Sequence, residues 1–307
     1  MTTFALQANL PQVDSWTDLA RRCEAAGFDA LLAADHPGVT ASPFVALAAA
    51  ASVTSSIGLG SYVSNAGIRE PLLLAADVAT LDVLSHGRAR LGLGAGHTPG
   101  EWDAVGRSRP DVSGRVARCT AVAEAVMALL DGEEVNVDTP ELVARSARLS
   151  EPRPVQKRIP LTVGGANSRL LRWAGAHADV VGLTGFGRTL PDGHSHEVRW
   201  RPHEIEAQLE HVANGAAGRD NPPAFEALVQ HVHVTDDAGA SVADIARRTG
   251  IAEAEVLASP FVLAGTEQEI LSAIREHERR WGVTRYVVRV GALDAISSLL
   301  PKLSTAS

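Results

Sequence analysis

The 307-residue chain fits one large α/β domain or two smaller ones, and a 45% hydrophobic content built mostly from Ala, Leu and Val supplies a sizeable core. A formal net charge of −8, without any long run of Lys or Arg, excludes nucleic acid as the expected partner. Cys23 and Cys119 form no CxxC pair, the first residues lack the regions of a signal peptide, and no apolar stretch is long enough to span a bilayer, so a cytoplasmic protein off the membrane is expected.

Taken from the N-terminus, Phe4–Ala8 reads as a strand and Ser15–Ala26 as a helix, with Asp14 or Ser15 placed to cap it and Gly27 to stop it. Phe28–Ala33 is a second strand, running on to Asp35-His36-Pro37, and Pro43–Thr54 a second helix. The block 57–96 is the most informative in the chain. Its apolar strand, Ile57–Val63, breaks into small polar residues, and Pro71 opens a helix carrying Leu72, Leu73, Ala76, Ala79, Leu81 and Leu84. Ala89–Leu93 is the next strand and opens into Gly94-Ala95-Gly96. Such a βαβ unit implies a parallel sheet, and small residues at both strand ends let a flat group approach the backbone.

Residues 97–111 read as irregular and Ser113–Leu130 as a helix, after which the proline-bearing stretch 133–158 breaks the rhythm as a surface excursion. Strands follow at Ile159–Val163, Ala178–Leu183, Phe225–Thr235 and Arg285–Val290. Helices lie among and after them at Ser168–Ala176, His203–Ala217, Val242–Thr249, Glu267–Trp281 and Ala292–Leu303. The polar, glycine-rich segment 184–201 has the profile of a long functional loop. This is the count of an α/β fold of the (β/α)8 TIM barrel type, one domain over 1–307 with insertions after strands 4 and 6 and before strand 5. A doubly wound sheet competes, but no central linker or change of composition supports it. In a barrel the chemistry sits where strands end.

Gly92-Leu93-Gly94-Ala95-Gly96 lacks the third spaced glycine and the directly following helix of a dinucleotide fingerprint, so a glycine-lined barrel mouth is the better reading. Asp35-His36 is either an acid/base pair or a capping Asp beside a structural His, and its place at a strand end leaves the two even. His231 and His233 share a strand face, as metal ligands would. No second His pair ends a strand, and His194 and His196 fall in a loop, so packed or solvent-facing histidines and no metal are expected. Gly164-Gly165-Ala166-Asn167-Ser168 runs from a strand end into a helix start. That suits an anion held by backbone N–H groups, a tight turn capped by Asn167 or Ser168, or both.

Several phrases stand in a telling order and spacing: Ala34-Asp35-His36-Pro37, SVTSSIGLGSY at 52–62, Arg69-Glu70-Pro71, Ala79-Thr80-Leu81-Asp82, Ser85-His86-Gly87-Arg88, Leu91–Gly96, EPRPVQ at 151–156, IPLTVGG at 159–165 and Gly265-Thr266-Glu267. Together they resemble the bacterial luciferase-like monooxygenase superfamily, and within it the coenzyme F420-dependent oxidoreductases, over nearly the whole chain. The resemblance implies a (β/α)8 barrel with insertions and a flavin or deazaflavin lying flat in its mouth, coenzyme F420 first and FMN as the alternative. Tyr62 and Val63 would lie behind the central ring, where relatives have a non-proline cis peptide, with Ser64 and Asn65 next to them. Asp35 and His36 match the segment that places a His near the reactive ring atom. Gly94, Ala95 and Gly96 would line the mouth, and Gly164, Gly165 and Ala166 would approach the cofactor phosphate. The chain departs from the pattern at His97, which stands where sugar-phosphate-oxidising members carry a glutamate, and in 184–201, which holds no lysine.

The function so implied is hydride transfer between F420 and a small organic substrate. His36 serves the ring, His97 relays a proton on the substrate side, and Arg188 and Arg289 are anchors for an acidic substrate or the cofactor's glutamyl tail. The alternatives are an FMN-dependent two-component monooxygenase and a barrel that binds flavin or F420 without turnover, Asp35-His36 tilting the choice to F420. Relatives often pair, and the apolar helix Leu72–Leu84 suits a homodimer contact as well as it suits barrel wrapping.

Overall fold

The computed structural model describes residues 1–190 and 195–304. Its main strands are β1 (Thr3–Ala8), β2 (Ala30–Ala33), β3 (Gly58–Ser61), β4 (Ala89–Gly94), β5 (Leu161–Gly164), β6 (Val180–Leu183), β7 (Ala224–Leu228) and β8 (Val283–Arg289). The helices are α1 (Trp16–Ala26), α2 (Pro43–Ala51), α3 (Pro71–Leu84), α4 (Pro99–Ala104), α5 (Val112–Asp131), α6 (Ser168–His177), α7 (Pro202–Gly215), α8 (Ala238–Thr249), α9 (Glu253–Leu257), α10 (Glu267–Trp281) and α11 (Leu293–Ser304). The strands run parallel in the order β3-β2-β1-β8-β7-β6-β5-β4, and β3 pairs with β4 as well, which is the strand order of a (β/α)8 barrel.

Two compact units share these elements. The first, residues 1–7, 26–29 and 165–307, carries β1, β8, β7 and β6. Phe4 stands opposite Tyr286 and their buried rings stack 5.0 Å apart, while Ala227 lies in register with both Tyr286 and Leu183. The second, residues 8–25 and 30–164, carries β2 to β5, with Leu31 beside Leu59, Gly60 beside Arg90 and Leu93 beside Val163. Glycines in β3 and β4 are demanded by close backbone approach. A Cβ on Gly60 would lie 2.6 Å from the Arg90 carbonyl oxygen, and one on Gly92 would lie 2.3 Å from that of Ser61.

Helix ends follow local chemistry. Ser15 Oγ accepts the Asp18 N–H at 3.3 Å at the start of α1, and α5 stops at Gly132, whose φ is +87°. The irregular stretch 97–111 contains the short helix α4. The excursion before β5 holds a hairpin of Val135–Asp138 with Val143–Ala147, and the segment after β6 a hairpin of Phe186–Thr189 with His196–Val198. Residues 191–194, His194 among them, lie outside the described residues.

The expected strand Phe225–Thr235 is two strands. The barrel strand ends at Leu228, and the backbone partner changes from Val287 at Val229 to Phe261 at Gln230. His231–Val234 then pairs in parallel with Val262–Gly265, a strand the sequence left unassigned. Cys23 and Cys119 are free and buried, and burial pushes both thiols up to about 12. Among the described residues no helix is long and apolar enough to cross a membrane.

Candidate active site

In the second unit, the chain leaving β2 delivers Asp35 to the interior and His36 to the edge. Asp35 is 1% exposed and takes a two-pronged bond from Arg69, Nε to Oδ2 at 2.9 Å and Nη2 to Oδ1 at 2.6 Å. Oδ2 also accepts the Asn65 backbone N–H at 3.1 Å. The acid is thereby engaged as a brace between two strand ends.

His36 is half-buried, its side chain 39% exposed, and its Nδ1 lies 2.6 Å from Oε1 of Glu101. Glu101, on α4, is 7% exposed, and its Oε2 accepts Asn65 Nδ2 at 2.5 Å. Burial pushes the Glu101 carboxyl up, but the bond and charge of His36, with help from Asn65 and Thr98, outweigh it and leave the group below the usual carboxylate range. Glu101 therefore stands as a carboxylate at neutral pH. Reading the sequence did not name it as a site residue. A signal was present, since Thr98-Pro99-Gly100-Glu101 is a helix-start pattern with an acid at the third helical position. Its inward aim depends on Trp102, buried against the backbone of Gly67 so closely that a Cβ there would lie 2.1 Å from the indole.

The Tyr62–Val63 peptide after β3 is cis, as the resemblance implies. Ser64 is fully buried and donates to Ser61 Oγ at 2.8 Å, and Asn65 Oδ1 accepts the Gly67 N–H at 2.8 Å. These two side chains bond within the segment 61–67 itself. Gly94 and Gly96 are needed for it too. A Cβ on Gly94 would meet Val63 at 2.6 Å, and one on Gly96, where φ is +70°, would lie 2.1 Å from Asn65 Oδ1. Arg118 and Arg107 hold the following turn by donating to the carbonyls of Ala66 and Gly67, at 2.9 and 2.8 Å. Of the residues expected to face a cofactor, His36, Val63, Ala95 and Gly96 are only half-buried in this unit, together with His97. The His36 and His97 rings meet edge to face, 5.8 Å between centroids.

Gly164 is buried at the end of β5, while Gly165 and Ala166 are half-buried. In the first unit the Gly165 N–H donates to the Gly182 carbonyl at 3.4 Å, and Asn167 Oδ1 accepts the N–H groups of Arg169 and Leu170. The turn is thus capped from within. Arg188 is exposed and paired with Glu197 at 3.0 Å, and Arg289 donates to Gln7 Oε1. His231 and His233 lie 6.0 Å apart with near-parallel rings, and among the described residues no group of three or more His, Cys, Asp or Glu could hold a metal.

The half-buried Val63, Ala95 and Gly96 lie in the same unit as an imidazole bonded to a buried carboxylate. A family model described as luciferase-like monooxygenase matches residues 2–254. An F420-dependent glucose-6-phosphate dehydrogenase of Beutenbergia cavernae is 30% identical over 223 residues, 70% of this chain and 62% of that protein. An uncharacterised protein of Mycobacterium tuberculosis is 37% identical over 152 residues, 49% of this chain and 52% of that protein, so the chain spans about half the length of such relatives. The solved coenzyme F420-dependent tetrahydromethanopterin reductase of Methanopyrus kandleri shares the fold with a TM-score of 0.75 at 22% identity, covering 98% of this chain and 99% of that one.

Proposed function

Because the chain belongs to the luciferase-like monooxygenase family, we propose that it is an F420-dependent oxidoreductase acting on a small organic substrate. The observation that carries this reading is the half-exposed His36 imidazole, held 2.6 Å from the buried Glu101 carboxylate at the end of β2. Bound F420 would supply a two-electron hydride carrier; the protein's part is to bind, orient and move protons. Val63, Ala95 and Gly96 would receive the ring, and His36 would exchange a proton beside it. His97, whose ring meets that of His36, would exchange a proton with the substrate. The relative named for glucose 6-phosphate supports the cofactor, and the absence of lysine from 184–201 argues against the sugar-phosphate pocket of such relatives.

A binding titration of the purified protein with F420 and with FMN, each oxidised and reduced, tests the reading. Tight F420 binding with weak FMN binding is expected. The reverse supports the second reading, an FMN-dependent monooxygenase, which the description of the matched family favours. His36→Ala should lower turnover by about 100-fold or more, as loss of a general acid–base group does, while F420 still binds. Unchanged turnover would remove His36 from the chemistry.

A further inference from the structure

His36 turns Nδ1 to the protein, 2.6 Å from Glu101 Oε1. Glu101 is ionised and can only accept, so the proton between them belongs to Nδ1. Glu101 is itself held: Oε2 takes Asn65 Nδ2 at 2.5 Å, Asn65 Oδ1 takes the Gly67 N–H at 2.8 Å, and the Asn65 N–H goes to Asp35. Asp35 is locked in turn by Arg69. A run of hydrogen bonds therefore reaches from Arg69 to the imidazole. Within this unit Glu101 from α4 and the His97 ring at 5.8 Å face the imidazole, and Thr40 Oγ1 accepts the His36 backbone N–H. Asp35, next in the chain, spends its charge on Arg69.

We propose that Glu101, held by Asn65, is a positioning residue that fixes a His36 proton on Nδ1 and favours the protonated ring. A buried carboxylate in contact favours the imidazolium over the neutral ring, because the attraction is felt through little water. The functional consequence rests on the reading of His36 as the residue beside the ring of F420; the state of the imidazole does not.

Nitrogen NMR of the imidazole groups in histidine-15N-labelled protein, without cofactor and over about pH 5 to 9, tests it. His36 is assigned by the signals lost in His36→Asn. The expected result is a neutral His36 ring protonated at Nδ1. Glu101→Gln should lower the midpoint by about one pH unit or more, and Glu101→Asp should recover part of it. A neutral ring protonated at Nε2, or a midpoint that Glu101→Gln leaves in place, would overturn the proposal. Should Glu101→Gln fail to fold, the position of the proton in the unsubstituted protein still decides. The expected NMR result in a protein that binds no F420 would uphold the positioning role and overturn only the proposed function.

Discussion

Substituting Asp35 by Asn takes one charge out of a buried pair and leaves the Arg69 guanidinium beside a neutral amide. Breaking such a pair from one side costs about 3–5 kcal/mol, and with Arg69 24% exposed to water the lower end, about 3 kcal/mol, is expected. The check is the midpoint of urea unfolding, and a loss under about 1 kcal/mol would mean that Arg69 finds another partner or water at little cost. Gly96→Ala tests the neighbouring constraint. Its φ of +70° and the 2.1 Å approach to Asn65 Oδ1 both oppose a side chain, so a loss above about 1 kcal/mol is expected, with the Asn65–Glu101 bond disturbed. Residue-scale roles of this sort were only half legible. The sequence leaves Asp35-His36 even between an acid/base pair and a capping Asp beside a structural His; the acid bonded to the imidazole is Glu101, 65 positions on. No spacing rule connects positions so far apart; the Asn65–Glu101 bond and the packing of Trp102 on Gly67 do.

At the scale of elements, helices bounded by local signals match the reading closely. Helix α10 is found at the expected Glu267–Trp281 because both ends are encoded nearby, with Thr266 and Glu269 in a capping box and Gly282 at φ +68°. The end of β7 could not be read, since the alternation of small apolar and polar residues runs on and the switch of partners is made by Phe261, some thirty residues away. Buried in α10, His277 gives this element its own pH dependence. Burial holds its imidazole down at about 4, against the opposing pull of the Ala258 backbone and Glu276, and Tyr286 lies 3.1 Å from Nδ1. The unfolded chain binds this proton from pH 6.5 downward and the folded one only near 4, so stability falls as pH drops through that window. The cost reaches about 3 kcal/mol at the acid end. His277→Gln should flatten the unfolding free energy between these pH values, and an unaltered slope would assign the acid sensitivity elsewhere. Asn167→Ala should cost α6 about 1 kcal/mol through loss of its cap, read as a lower urea midpoint.

For the whole molecule, the (β/α)8 reading came from the alternation of strand and helix, which depends only on hydrophobic period and turn residues. The insertions were legible as breaks in that rhythm, but not their contents: a hairpin before β5, another after β6 and α4 after β4. That unevenness has a use in protein engineering. The loop after β4 looks like a cassette that could be exchanged between relatives to change substrate preference. It is not self-contained, because Trp102 needs the bare backbone of Gly67 and Glu101 needs Asn65. A chimera that imports 97–111 from a relative must import residues 65–67 with it; a library that varies one segment alone will discard most of its members before any substrate is offered.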